Sequence, residues 1–557
     1  MADSGLGRAV RWIVVLASFG ALCAIGLGAV WFTHYRVYAK WWVAAALAFA
    51  VGVVAWRLVG RSILRVWRSA RLPKWVLPVG LFVVFFAVKV VFALHLETEQ
   101  QSDFLMMYQG AQAINAGDFS FSDTAYWHFF AYQTPFTIYE AFMLKVSGGS
   151  LVPLLVAGAV FMAGTNLLVY LIGRKITGSA VAGLFAAVAY LVYPSAYLQA
   201  SALTNDHLSA FLLYLGAYVA LTGVGRLGAW SGSRGLLAGS GPDGLVAGAG
   251  SDGLVAGPGS DGLMAGRAGS DSRAAGRSRP WRDWRGWALA AAGGVLLALG
   301  NLARPAGLVV VAALVAALVL APVMRRGARS SWRPVGLSAL AAVVVVAAYG
   351  LVGAGADGAI KASGINPAGA SNNLPEWKFV FGLQGNTAQG RQDLVDIGAY
   401  DPIPKPDARQ IARAALERDI RQLPQTWHRV LARQVNSMWA RNESARYLYW
   451  PQFGASDQYR LPDSRTYTLG HYLVLGERGV FLPIILMAAW GVVLLNRDRR
   501  WGALATFLAC FVAGYALIHL AIEVQPRYRY LFMPAVFCLA APAWACLTRL
   551  RGARDRR

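Results

Sequence analysis

The sequence predicts an all-α polytopic membrane protein of about twelve transmembrane helices, with loops and interfacial helices on the outer face. Three observations predict it. The chain is 57% hydrophobic and only 14% charged, too little charge for a water-soluble surface. Apolar runs of roughly 20 residues recur along it, the length that crosses a hydrocarbon core of about 30 Å. The net charge of +24 lies in short arginine clusters between those runs, which is a pattern of membrane topology and not the one basic face of a nucleic-acid-binding domain. Cys23, Cys510, Cys538 and Cys546 all fall inside apolar runs, so they supply neither metal-ligand spacing nor a disulfide framework.

The first run, 12–32, follows Arg8 and Arg11, is too long for the apolar core of a signal peptide, and reads as a retained span. A second span follows at 41–60. The basic stretch Arg61 to Lys74 then belongs to the cytoplasm, so residues 1–74 form a two-span N-terminal unit. The third span, 75–95, delivers Asp103 to the outer side at the start of a long loop, 97–150. Lys89 lies near the outer end of that span, where it either snorkels to the interface or faces a buried anion. Within the loop, the segment opened by Gln133-Thr134-Pro135-Phe136 reads as an interfacial helix to Val146, with Tyr126, Trp127, Phe129, Phe130 and Tyr132 as its membrane anchors.

Spans at 152–173, 179–198 and 208–225 complete a membrane module over 75–225. Between the last two, Thr204-Asn205-Asp206-His207 places a second carboxylate on the side of Asp103. Residues 226–285 carry a Gly-Leu-Val-Ala-Gly type repeat (244–248, 253–257, 262–266) and read as a flexible cytoplasmic linker. The apolar stretch from Trp287 is broken at Asn301-Leu302-Ala303-Arg304-Pro305, so it divides into a span out and a span back with Arg304 outside. A span at 334–353 closes the unit 286–353. Residues 354–477, rich in Trp, Tyr, Asn and Gln, form an extracytoplasmic domain with a helix around 407–421. Its Trp439 and Trp450 suit membrane anchoring or sugar stacking, and Asn442-Glu443-Ser444 matches a glycosylation triplet. The C-terminal unit, 478–557, holds spans at 479–495, 502–521 and 531–548 and a basic tail. Arg527 and Arg529 lie in its outer loop, against the positive-inside bias.

In this order, Asp103 after an early span, the Pro-led short helix, Leu171-Ile172-Gly173-Arg174, Asp206, Arg304-Pro305 and Arg527-Tyr528-Arg529-Tyr530 before a Pro534-bearing last span resemble the C-type (GT-C) membrane glycosyltransferases. The closest likeness is to glycosyltransferase family 39, the protein O-mannosyltransferases and lipid A aminoarabinose transferases. The resemblance covers roughly residues 75–548. It departs where many members have Asp-Glu: here Phe104 follows Asp103, and Glu97 and Glu99 stand upstream.

The resemblance implies a polyprenyl-phosphate sugar as donor, transferred with inversion at the outer face to a glycan, lipid or protein acceptor. A phosphate leaving group requires little acid assistance, whereas the acceptor hydroxyl requires a base. Asp103 is the candidate base. Asp206 is either its helper or an N-cap of the following span. Arg304, Arg527 and Arg529 are candidate phosphate ligands, suited to it by the planar guanidinium fork. An extended backbone aligns Arg527 and Arg529 on one face, with Tyr528 packed into the protein. Lys89, Glu97, Glu99 and Tyr528 are the supporting residues. The sequence names no cofactor, leaves a divalent metal open, and gives no nucleic-acid partner. The rival reading is a polytopic transporter or a lipid or polysaccharide flippase, and a third is an envelope-assembly subunit. A transporter places ionisable residues near the bilayer midplane, whereas here they gather at outer span ends.

Overall fold

The computed structural model describes residues 5–31, 62, 73, 75–96, 98, 100, 102–227, 283–325, 332–385, 387–398, 401–440, 468–498 and 501–554. Among them there are helices and no strands. In chain order these are α1 Gly5–Trp31, α2 Val76–His95, α3 Asp103–Ala116, α4 Ala125–Phe129, α5 Thr134–Val146, α6 Val152–Thr177, α7 Ala180–Val192, α8 Ser195–Leu198 and α9 Asn205–Arg226. They continue with α10 Trp284–Ala303, α11 Gly307–Met324, α12 Arg333–Ser363, α13 Glu376–Gln384, α14 Ala388–Ile397, α15 Ala408–Val435, α16 Thr468–Arg497, α17 Ala503–Ile518 and α18 Arg529–Arg554.

Nine of the described helices are long and apolar enough to cross a membrane, and α7 and α17 are shorter apolar helices. Eleven of the twelve expected spans therefore have a counterpart. The expected span 41–60 lies outside the described residues, as do the linker repeat, Glu97, Glu99, Asn442 and Trp450. The expected span 179–198 is in fact two helices, because Pro194 breaks the chain between α7 and α8.

The core is a helix bundle assembled around α18, where Phe532, Phe537 and Cys538 have no exposure at all. Trp544 of α18 stacks on Phe185 of α7 at 4.0 Å between ring centroids, and Tyr214 of α9 donates to the Leu531 carbonyl at 2.8 Å. With lipid as solvent, apolar burial alone does not join helices, and close packing of small residues does. The α9–α10 contact shows this: a Cβ on Gly223 would stand 2.6 Å from the Gly286 carbonyl oxygen.

Over one end of the bundle lie the first loop and α13–α15. Asp103 begins a helix, α3, where the sequence reading expected an open loop. Phe104, Met107 and Ala111 form its buried stripe and Gly117, at φ 75°, ends it. Of the five loop aromatics, Trp127 and Phe129 are buried within protein: Trp127 packs against Phe121, and Phe129 packs with Leu374, Trp377 and Leu394. Burial between two protein layers removes their surface from water as well as a headgroup layer does. Trp439 is likewise buried, against Phe532 of α18 at 4.9 Å.

The segment that carries α13–α15 is fastened to the bundle by hydrogen bonds. Asn366 donates to the Trp127 carbonyl and to Thr134 Oγ1, and Gln434 bridges the carbonyls of Gly382 and Ile522 at 2.8 and 2.9 Å. Gly382 is required at this junction, since a Cβ there would run into the Ala521 carbonyl.

Candidate functional site

The site forms where five chain segments end at the same end of the bundle. Asp103 opens α3 and Asp206 lies in the first turn of α9. Arg304 ends α10, Lys378 comes from α13, and Glu523 and Arg527 come from the loop before α18. Asp103 follows Ser102, whose φ of 53° is a left-handed value. A residue with a Cβ holds such a value at a cost of about 1–3 kcal/mol, and strain of this kind gathers at functional sites.

Three ion pairs hold the site. Arg527 Nη2 donates to Asp103 Oδ2 at 2.7 Å, Arg304 pairs with Asp206, and Lys378 Nζ donates to Glu523 Oε2 at 2.5 Å. The Tyr528 ring lies near both guanidinium groups, 4.8 Å from Arg304 and 5.9 Å from Arg527, measured to its ring centroid. The Phe104 ring centroid lies 5.0 Å from the Arg527 guanidinium. Tyr126 donates to Asp103 Oδ1 at 3.2 Å and is itself held by Gln133 at 2.7 Å.

The electrostatics follow from this. Burial works against ionising Asp103, but the charge and hydrogen bond of Arg527, then Lys378 and Tyr126, outweigh it and hold the carboxyl below the usual aspartate range. Burial would lower the Lys378 ammonium, and Glu523 beside it more than reverses that, raising it well above the ordinary lysine range. Glu523 is held low by the same pairing, against its own desolvation. Three cations are thus matched to three carboxylates, so an arriving anion competes with those carboxylates for the guanidinium donors.

Of the sequence candidates, Asp103, Asp206, Arg304, Arg527 and Tyr528 are brought together. Thr204, not Asp206, caps α9: its side chain accepts from the Asp206 amide, which leaves the aspartate to meet Arg304. Arg529 is turned away, donating to Glu477 at 2.9 Å and packed over Phe481 at 5.2 Å. The expected extended backbone is a 3-10 turn, Pro526–Tyr528, running into α18. A helical course points alternate residues apart, so Arg527 and Arg529 do not share a face, and Tyr528 faces the site. Lys89 is fully buried and does not snorkel. Its ammonium donates to the Ala196 carbonyl, 5.9 Å from the Tyr197 ring. His207 is buried between Tyr530 and the Gln199 carbonyl.

Sequence reasoning missed Lys378, Tyr126 and the role of Glu523. Glu523 carried a signal, an acidic residue in the same short outer loop as Arg527. Lys378 carried none, because only the docking of α13 onto that loop, through the Glu523 amide and the Lys378 carbonyl at 2.8 Å, brings it in.

No protein-family model and no curated protein matches the chain. Solved structures do. The chain is similar to the Archaeoglobus fulgidus oligosaccharyltransferase tethered with an acceptor peptide containing the NVT sequon (TM-score 0.45, 14% identity, 86% of this chain and 50% of that one). The same protein in the apo form matches at TM-score 0.39 and 12% identity, over 86% and 52% of the two chains. ArnT from Cupriavidus metallidurans bound to undecaprenyl phosphate matches at TM-score 0.31 and 14% identity, over 86% and 79%. The chain spans about half the length of the oligosaccharyltransferase. These likenesses are partial overlaps of helical arrangement, so a function for this chain has to come from the residues of the site.

Proposed function

We propose that the chain is an integral-membrane glycosyltransferase that moves a sugar from a polyprenyl-phosphate donor to an extracytoplasmic acceptor with inversion at the anomeric carbon. The observation that carries this is the pair of guanidinium groups gathered at the Tyr528 ring, one of them bonded to Asp103. The face follows from the positive-inside rule, with the clusters around Arg174, Arg226, Arg333 and Arg497 at the cytoplasmic ends of their helices.

Arg527 and Arg304 take the donor phosphate, where bidentate guanidinium contacts fix its orientation and neutralise its charge. In doing so Arg527 leaves Asp103, whose carboxylate is then free to accept the proton of the acceptor hydroxyl. The acceptor oxygen attacks the anomeric carbon from the face opposite the phosphate. The new glycosidic C–O bond forms as the bond to the phosphate oxygen breaks, and polyprenyl phosphate leaves with that electron pair and needs no proton. Asp206 holds Arg304, and Lys378 with Glu523 walls the site on its outer side. Among the described residues no group of three His, Cys, Asp or Glu side chains is placed to hold a metal, and no step here is routed through one.

The test uses the full chain reconstituted in vesicles with a panel of synthetic short-chain polyprenyl-phosphate hexoses and pentoses. The readout is release of polyprenyl phosphate, alongside native mass spectrometry of bound polyprenyl phosphate. Turnover of at least one donor, abolished in Asp103→Asn, and polyprenyl-phosphate binding weakened in Arg527→Gln are expected. Binding untouched by Arg527→Gln and Arg304→Gln would overturn the reading.

A further inference from the structure

Glu140 is the one acidic side chain among the described residues that is fully buried with neither carboxyl oxygen bonded. Leaving such a group without a partner is costly, so buried polar atoms are nearly always satisfied by protein or by water. Burial pushes this carboxyl well above the ordinary glutamate range and so favours its protonated form, which has one O–H to donate. It lies on α5, outside the spans, and lines a partly open pocket of about 20 Å³ bordered by the N-terminal turns of α6 and α9 and the segment between α8 and α9. The other polar side chains in the wall are Tyr139, Thr204 and His207. Both His207 nitrogens are already engaged, by Tyr530 and the Gln199 carbonyl. Thr204 Oγ1 donates to Asp206 Oδ2 at 3.1 Å and accepts from the Asp206 amide, which leaves it a second lone pair.

A cavity needs about 10–15 Å³ on this measure to hold one water, and the water needs two to four polar partners. This one is large enough for a water. We infer that it is a structural water site in which Glu140 donates to an ordered water and the water donates to Thr204. That joins Glu140, the water, Thr204, Asp206 and Arg304 into one hydrogen-bonded chain ending at the donor site. Glu140 is then a positioning residue for Arg304. The chain's effect on donor binding rests on the transferase reading, while the water site itself does not.

Two measurements on the purified full chain test it. Infrared spectroscopy near neutral pH should show the carbonyl stretch of a protonated carboxylic acid, absent in Glu140→Gln and shifted in Thr204→Val. Polyprenyl-phosphate affinity should fall roughly tenfold in Glu140→Leu, the equivalent of about 1.4 kcal/mol, and return in Glu140→Gln, which can still bond a water. An infrared band that is missing, or that ignores Thr204→Val, overturns the water site whether or not Glu140→Leu folds. Unchanged affinity in a folded Glu140→Leu overturns the positioning role. A band that behaves as expected in a chain that binds no polyprenyl phosphate leaves the water site standing and removes the transferase reading instead.

Discussion

Replacing Arg527 with Gln removes the cation that meets Asp103 at 2.7 Å, and it should move the acid limb of the pH–rate profile upward. The depressed carboxyl of the parent stays ionised, and competent as a base, to pH values below its ordinary value of about 4. Its pairing stabilises the folded chain at higher pH, and that contribution is lost as pH falls through the lowered folded value. The Arg527 side chain is 10% exposed and that of Asp103 34%, so the pair lies between two limits. Exposed pairs contribute about 0–1 kcal/mol, and breaking a fully buried one costs about 3–5 kcal/mol. Losing the pair therefore costs on the order of 1–3 kcal/mol, between those two limits. The assay is kcat/KM for a polyprenyl-phosphate sugar from pH 3.5 to 8 (roughly, spanning the carboxylate range), which reports ionisation in the free enzyme. Arg527→Gln should show a lower plateau and an acid limb moved to higher pH, because the charge and hydrogen bond that hold the carboxyl low are gone. Asp103→Asn should lose about 10²–10⁴-fold in kcat, the usual contribution of a general base. An acid limb that stays in place in Arg527→Gln, or near-parental turnover in Asp103→Asn, refutes the assignment of Asp103 as an arginine-held base.

Arg529→Lys should lower thermal stability by about 1–3 kcal/mol, the range for a charged hydrogen bond, yet leave polyprenyl-phosphate affinity unchanged, because Arg529 serves Glu477. A selective loss of affinity in mass spectrometry would return it to the phosphate site. Gly382→Ala should cost about 1–3 kcal/mol as an overpacked contact and loosen the α13–α15 segment, seen as faster proteolysis of residues 376–435 with turnover falling in parallel. Equal protease resistance would show that the Ala521 contact is not what fastens it. Excision of 235–270, whose glycine-rich composition cannot bury a core, should leave donor turnover near the parent's at equal expression, and its loss would mark a partner-binding segment. Topology reporters after His128, Asp206, Asn386 and Gln525 should read outside, and those after Arg68, Gly250, Arg329 and Arg557 inside. Opposite faces for 128 and 206 would separate the two carboxylates that the proposed site unites.

The sequence by itself determined the membrane class and the helix spacing, because apolar length against a fixed bilayer thickness is a one-dimensional quantity. It also determined which outer loops carry charge, since Asp103, Asp206, Arg304 and Arg527 stand out as ionisable groups at span ends where they are costly. Where it failed, two local signals competed: Pro194 against the length ruler, and a helical turn at Arg527 against an extended one. The tertiary structure decided pairing. That Arg527 meets Asp103 across 424 residues, that Arg529 turns to Glu477, and that Lys378 joins the site depend on how α13 and α18 dock. Docking is set by non-local packing, such as the room Gly382 leaves for the Ala521 carbonyl, and no local pattern encodes it. Glu140 reads in the sequence as one more polar position on an amphipathic helix. Only the closure of α6 and α9 over it makes it a buried acid with an unmet hydrogen bond.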